Sequence, residues 1–355
     1  MKSLKKLISL FSILCLLLCG CSVEIVFAPE ETAVSTVTGG DTLTVHYLDV
    51  GQADCILLES GGEFMLIDGG NRDDGQMVVS YLQSHGVEEL RAVVCTHAHE
   101  DHVGGLPSVL AVFPTAAVYA PTRTYDSKIF NDFLYYVDQQ RLEVTIPNPG
   151  DTMTLGGTML TVLGPVKSYA DPNNTSIILM ADFGATRFLF TGDAEKEAEN
   201  DMLAYWEGRF DWNVDVLKSG HHGSSTSSGY RFIYETDPEY AIVSCGKDND
   251  YGHPHEETIS LYRDAGLPML RTDELGSILA VSDGHDITIT WEKQQSVPTD
   301  LAPADGFGRY IANKNSKTLH SPFCNGLPKE ENRIYFDSYD EAIAAGCKPC
   351  GSCLG

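Results

Sequence analysis

The apolar positions of this chain fall into short runs cut by glycine turns. Leu43-Thr44-Val45-His46-Tyr47-Leu48 alternates with a period of two. Gly51-Gln52-Ala53-Asp54 turns the chain, Cys55-Ile56-Leu57-Leu58-Glu59 returns, and Gly61-Gly62 leads into Glu63-Phe64-Met65-Leu66-Ile67-Asp68. That pattern predicts a three-stranded meander. A helix is predicted over 75–85, and Arg91-Ala92-Val93-Val94-Cys95 reads as a buried strand. A helix is expected to open at Gly104-Gly105, followed by a strand at 117–119, a helix over about 128–140 and strands up to 163. Further strands are predicted at 177–180, 187–190, 214–218 and 240–245. Strand blocks alternating with helices give an α/β class, a sandwich of sheets with helices outside.

The ends of these strands carry the chemistry. After the strand at 91–95 comes Thr96-His97-Ala98-His99-Glu100-Asp101-His102-Val103, with three imidazoles and a carboxylate within six residues. Imidazole suits zinc and its neighbours, and a carboxylate completes a water-activating site. Arg187-Phe188-Leu189-Phe190-Thr191-Gly192-Asp193 ends a second strand on an acid. Val214-Asp215-Val216-Leu217-Lys218-Ser219-Gly220-His221-His222-Gly223-Ser224 ends a third on paired histidines. The turn Asp171-Pro172-Asn173-Asn174-Thr175-Ser176 and the loop Asn249-Asp250-Tyr251-Gly252-His253-Pro254-His255 complete the polar punctuation.

The His-x-His-x-Asp-His run resembles the signature of the metallo-β-lactamase superfamily. The opening Leu48-Asp49-Val50-Gly51-Gln52-Ala53-Asp54, the Ile67-Asp68-Gly69-Gly70 and the Tyr251-Gly252-His253-Pro254-His255 resemble ComEC-type members of it, with Ala53 where their pattern has glycine. The resemblance spans roughly 43–293 and implies a four-layer αββα sandwich holding two metal ions, zinc or, in an oxygen-rich site, manganese. It assigns His97 and His99 to the first ion, Asp101 and His102 to the second, and Asp193 as the bridge. One of His221 and His222 completes the second ion's set; His221, the first beyond the strand, is favoured, with the other histidine acting on substrate or protons. His253 or His222 is expected to protonate a leaving group. Asp101, His253 and His222 are thus the catalytic candidates. Lys218, Asn174 and Ser224 are candidates for substrate contact, with Ser176 as an alternative to Asn174. Asp49 and Asp68 are candidates to hold ligating histidines, against the alternative that each caps a turn. No histidine lies between His102 and His221, so the third histidine that most members supply to the first ion is missing.

Composition places this domain. Hydrophobic content of 43% supports a real core, and a net charge of −26, from 50 acids against 24 Lys and Arg, argues against a broad basic footprint. Met1-Lys2-Ser3-Leu4-Lys5-Lys6 is a basic start, and 7–18 is an apolar run of twelve residues, too short to span a bilayer. Leu18-Cys19-Gly20-Cys21 resembles a bacterial lipobox, which implies a lipidated Cys21, a signal over 1–21 and a protein anchored by lipid on the outer face of the cell membrane; a plain secretory signal is the alternative. Residues 22–41 read as a tether.

The C-terminus is a separate unit. Residues 294–308 read as a linker. His320-x3-Cys324 with Cys350-x2-Cys353 gives two close pairs of soft ligands, the spacing of a structural zinc site in a unit too short for a sufficient core. A pair of disulfides is the alternative. The pattern resembles the zinc-binding domain of Ada, with His320 in place of its first cysteine, and implies a zinc-stabilised α+β module over 309–355. This stretch carries six Lys or Arg and five acids, a net +1 that stands apart from the acidic remainder.

The expected function is a metal-dependent hydrolase, most specifically a phosphodiesterase or nuclease acting on DNA at the cell surface. The alternatives are a phosphodiesterase on wall polymers or choline-phosphate substrates, and a metal-binding lipoprotein without turnover.

Overall fold

The computed structural model describes residues 41–293, 310–320, 324, 326–329, 332–336, 339–351 and 354. The expected lipidation site Cys21, the tether up to residue 40, the linker and the expected zinc ligand Cys353 lie outside the described residues.

Strands β1 (Leu43–Tyr47), β2 (Ile56–Ser60) and β3 (Glu63–Ile67) form the expected antiparallel meander, with Leu43 facing Ser60 and Ile56 facing Ile67. Helix α1 (Gly75–Ser84) buries Val78, Val79 and Leu82 and returns the chain to β4 (Ala92–Val94), parallel to β3. Short helices α2 (Glu100–Val103) and α3 (Leu106–Val112) follow. The first starts at Glu100, earlier than the glycine pair implied, because His99 is extended and its carbonyl accepts from Val103. Gly105 serves a close approach instead: a Cβ there would collide with the backbone of Gly69. After β5 (Val118–Tyr119), helix α4 (Lys128–Gln139) is capped by Ser127, whose side chain accepts from the Phe130 amide. Its Ile129, Phe130, Phe133 and Val137 form the buried stripe that helical spacing demands. Strand β6 (Val144–Thr145) ends this half.

The second half runs β7 (Thr152–Leu155), β8 (Thr158–Gly164), β9 (Ile178–Phe183), β10 (Thr186–Phe190), α5 (Lys196–Trp206), β11 (Val216–Lys218), α6 (Tyr230–Thr236), β12 (Tyr240–Val243), α7 (Glu256–Ala265), β13 (Met269–Arg271) and α8 (Thr272–Leu275). Strands β14 (Ile278–Ser282) and β15 (Ile287–Trp291) then rejoin the first sheet beside β1. The sheet orders are β15-β14-β1-β2-β3-β4-β5-β6 and β13-β12-β11-β10-β9-β8-β7.

Three apolar layers follow from strand alternation. Val45, Leu58, Met65 and Val94 of the first sheet meet Leu160, Leu179, Phe188 and Ile242 of the second in the central core. Leu57, Leu66 and Val93 face α1, α3 and α4, and Met180, Leu189 and Leu217 face α5, α6 and α7. This is the expected αββα sandwich. The C-terminal residues form a four-stranded sheet of order β18-β16-β17-β19, from β16 (Tyr310–Asn313), β17 (Thr318–His320), β18 (Arg333–Phe336) and β19 (Lys348–Pro349), with helix α9 (Tyr339–Ala344). Ala312, Leu319, Phe336, Ala342 and Cys347 make its small core. Among the described residues, no helix is long and apolar enough to cross a membrane.

Candidate metal centre

Strands β4, β10 and β11 release their chains toward one cleft, with Asp101 and His102 after β4, Asp193 after β10 and His222 after β11. There Asp101 Oδ2, Asp193 Oδ2, His102 Nε2 and His222 Nε2 come together, with one ligand atom from each residue lying within 4.8 Å of the others. Asp193 Oδ2 is 3.2 Å from His102 Nε2 and 3.4 Å from His222 Nε2, and Asp101 Oδ2 is 3.3 Å from His222 Nε2. His97 Nε2 and His99 Nδ1 converge beside them at 3.0 Å, and the His97 and His102 rings are 4.1 Å apart.

Each buried ligand is held from behind. The carboxylate of Asp68 accepts from Thr96 N at 2.7 Å and Thr96 Oγ1 at 2.6 Å and lies 2.8 Å from His102 Nδ1. This makes Nδ1 the protonated nitrogen and leaves Nε2 for the cleft. His222 Nδ1 donates to the Ser244 carbonyl at 3.0 Å and lies 3.3 Å from Asp54 Oδ1. Ser176 Oγ accepts from the Asp193 amide at 3.0 Å and sits 3.4 Å from His97 Nδ1, so one serine braces both residues.

The charges explain one another. Burial opposes a charged His102, but Asp193, Asp68 and Asp101 outweigh it and hold its pKa well above the ordinary value. His222 is raised in the same way, against burial, by Asp193, Asp54 and Asp101. Burial and the neighbouring His102 hold His97 well below its ordinary value. Burial opposes ionisation of Asp193, yet His102 and His222 hold its pKa well below the carboxylate range. His102 Nε2 and Asp193 Oδ1 are nevertheless buried without any hydrogen-bond partner. Native interiors seldom leave such atoms unpaired, and a cation in their midst satisfies both. The donor set of imidazole nitrogens and carboxylate oxygens fits a zinc-class ion here, with His97 and His99 as the start of a second set.

Several expectations need correction. His222, not the favoured His221, joins Asp101, His102 and Asp193. The chain passes both histidines in left-handed backbone, φ 49° and 53°, and this swings the second one inward. His221 stays at the cleft, with Nε2 3.7 Å from Asp193 and Nδ1 3.2 Å from Thr226 Oγ1. With both its nitrogens engaged, His222 is no free proton donor. Lys218 does not meet substrate: it is fully buried, 2.8 Å from Asp54 Oδ2, and donates to the Ser219 carbonyl. Ser224 is buried and bonded to Thr226, and Asn174 is buried with Oδ1 accepting from the Glu195 amide. Asp49 touches no ligand; it caps the turn at Gly51 and pairs with Lys293 at 3.2 Å.

Asp54 and Gln52 are the functional residues that the sequence reading passed over as turn. Burial pushes the Asp54 pKa up, but Lys218, His222 and His102 overcome it and hold it at about 2. Gln52 accepts from the Gly246 amide through Oε1 at 3.0 Å, which turns Nε2 toward His253 Nδ1 at 3.1 Å. Its amide therefore fixes His253 with the proton on Nε2. Burial and the neighbours His221, His222 and His255 lower the His253 pKa to about 4.

All of this opens into a cleft of about 510 Å³ lined by His99, Asp101, Asp193, His221, His222 and His253, among others. In the C-terminal module, His320, Cys324 and Cys350 bring ligand atoms within 4.8 Å of one another, with His320 Nδ1 3.2 Å from Cys324 Sγ. Cys324 and Cys347 are free thiols, and the imidazole and sulfur donors of His320, Cys324 and Cys350 fit zinc.

Residues 48–247 match the family model described as the metallo-beta-lactamase superfamily. The chain is 28% identical over 291 residues to ComE operon protein 3 of Bacillus subtilis (strain 168), covering 72% of this chain and 37% of that protein. It is 30% identical over 252 residues to competence protein ComA of Neisseria gonorrhoeae, covering 70% and 32%. It therefore spans about a third of the length of these two relatives. Among solved structures it is similar to the metallo-beta-lactamase fold protein YhfI from Bacillus subtilis, at TM-score 0.45 and 15% identity over 70% of this chain and all of that one. The family match takes in more than half the sequence and contains His97, His99, Asp101, His102, Asp193 and His222: the chain belongs to the metallo-β-lactamase superfamily.

Proposed function

We propose that this protein is a metal-dependent phosphodiesterase that cleaves DNA outside the cell, held at the membrane by a lipid on Cys21. The observation that carries the hydrolytic part is the convergence of Asp101, His102, Asp193 and His222 around buried, unpartnered His102 Nε2 and Asp193 Oδ1. The DNA part draws on relatives named competence protein and recombination protein. The retained ligand set argues against a binding lipoprotein without turnover.

Metal ions bound here would supply Lewis acidity to a phosphoryl oxygen and a water acidified toward neutral pH. The chain's own residues do the rest. Asp68 and Ser244 aim the imidazoles of His102 and His222, and Ser176 aims that of His97. Gln52 presents the Nε2–H of His253 to the cleft. With its pKa lowered, His253 is neutral at pH 7 and donates a hydrogen bond to substrate oxygen instead of giving up a proton outright. His221, at the cleft and unburdened by the ligand group, takes over the proton-handling role foreseen for His222. The zinc of the C-terminal module is structural in this reading.

The test is cleavage of bis(p-nitrophenyl) phosphate and of plasmid and linear DNA by the purified chain loaded with zinc or manganese. Cleavage of DNA, lost in His97→Ala and Asp193→Ala, supports the proposal. Cleavage of the small diester without DNA moves the substrate to a wall polymer. Failure to bind metal at the histidines refutes the hydrolase reading altogether.

A further inference from the structure

The cleft carries one feature that hydrolysis alone does not use. Tyr251 is 69% exposed, more than any other large apolar side chain among the described residues, and it lines the same cleft as Asp101 and Asp193. Its ring lies nearly parallel to His253, at 24° and 5.6 Å between centroids. An aromatic face held open to water beside a catalytic cleft is a platform for another flat ring.

The platform is stiff. Asn249 Oδ1 accepts from the amides of Tyr251 at 3.2 Å and His253 at 3.0 Å, and its Nδ2 donates to the carbonyls of Gly246 and His253 at 2.9 and 2.6 Å. Gly252 turns the chain between the two rings at φ 72°. A second observation points to a ligand. Asn173 lines the same cleft, is 9% exposed, and its Oδ1 is buried with no hydrogen-bond partner. That oxygen is an acceptor waiting for an amine or hydroxyl. A cleft of about 510 Å³ is of the size that takes a small ligand such as a nucleotide unit.

We propose that Tyr251 stacks an unpaired nucleobase of the strand whose phosphodiester lies over Asp101, Asp193 and His222, with Asn173 accepting from the same nucleotide. This rests on the phosphodiester reading and narrows it to single-stranded nucleic acid, because a base paired in a duplex offers no free face. The stack tolerates any base, because every base has a π-face.

The experiment measures fluorescence anisotropy of a labelled phosphorothioate oligothymidylate titrated with the full chain, alone and annealed to its complement, for wild type, Tyr251→Ala and Tyr251→Phe. The single strand is expected to bind more tightly than the duplex. Tyr251→Ala should weaken it by roughly five- to a hundredfold, and Tyr251→Phe should restore it. Unchanged binding in Tyr251→Ala, equal affinity for the duplex, or no binding by wild type would overturn the proposal. Metal-dependent cleavage of an ordinary oligothymidylate by wild type, abolished by Asp193→Ala, is scored separately. It tells loss of the stacking role from loss of the hydrolase reading.

Discussion

Lys218 is a fully buried cation in a protein of net charge −26, and its removal tests the electrostatic account of the site. Its ammonium is 2.8 Å from Asp54 Oδ2, and both side chains are at most 1% exposed. Lys218→Met keeps the length and removes the charge, leaving Asp54 ionised in a dry pocket. Breaking a buried pair from one side costs about 3–5 kcal/mol. For a domain of this size, each kcal/mol lowers the melting temperature by roughly 2–4 °C, so a fall of roughly 6–20 °C is expected. The double variant Lys218→Met/Asp54→Asn removes both charges and should recover most of that loss, a coupling of about 2–3 kcal/mol. The assay is thermal and urea unfolding of Lys218→Met, Asp54→Asn, the double variant and wild type, after chelation and again after metal reloading. The reasoning fails if Lys218→Met stays within ~1 kcal/mol of wild type. It also fails if the double variant loses the sum of the single effects, because the pair would then not be a unit.

Four further outcomes follow. His222→Ala should lose metal from the hydrolase centre while His221→Ala retains it, as read by metal analysis; the reverse result would restore the assignment that favoured His221. Asp68→Asn should weaken metal binding by roughly 10–100-fold, because the amide no longer accepts from His102 Nδ1 as a carboxylate does; competition with a chromogenic chelator measures it. Asp49→Asn should change stability by less than ~1 kcal/mol, its partner Lys293 being partly exposed, and unfolding midpoints decide it. Glu199 is buried against the amides of Ser228 and Gly229, and burial raises its pKa from 4.5 to about 7 despite those bonds. A raised folded pKa means the native state holds the proton longer than the unfolded chain. The contribution is therefore full below pH 4.5 and is lost as pH rises through about 7, on the order of 3 kcal/mol. Glu199→Gln should flatten stability between pH 5 and about 8, and an unchanged slope would reject the assignment.

The ligands were legible because they obey a local rule. His97, His99, Asp101 and His102 follow one apolar strand, and Asp193 another, so strand ends marked them before any geometry was known. The supporting residues obey no local rule. Lys218 read as an anion contact because a lysine is seldom buried; only its distant partner Asp54, from the first turn, makes burial tolerable. In that same turn, Asp49 and Asp54 were equally acidic, and the left-handed Gly51 at φ 70° is part of what sorts them, sending one toward Lys293 and the other toward His222. The choice between His221 and His222 depended on two consecutive positive φ angles, which no periodicity announces. Asn174 and Ser224 misled for the usual reason that polar turn residues bond to their own loops first.

The pairing of β1 with β14 bears on how the protein is made. The first strand of the domain, starting at Leu43, finds one of its two neighbours only when Ile278–Ser282 arrive. At a synthesis rate of about 5–20 residues per second, β1 keeps a bare edge for roughly 10–50 s after it emerges. A chain cut short before residue 278 would keep that edge for good, an open template for other strands. Such a fragment should collect in aggregates where the full-length chain stays dispersed, and a chain crossing a membrane in this order would have no finished first sheet to unfold until Ile278–Ser282 and Ile287–Trp291 were through.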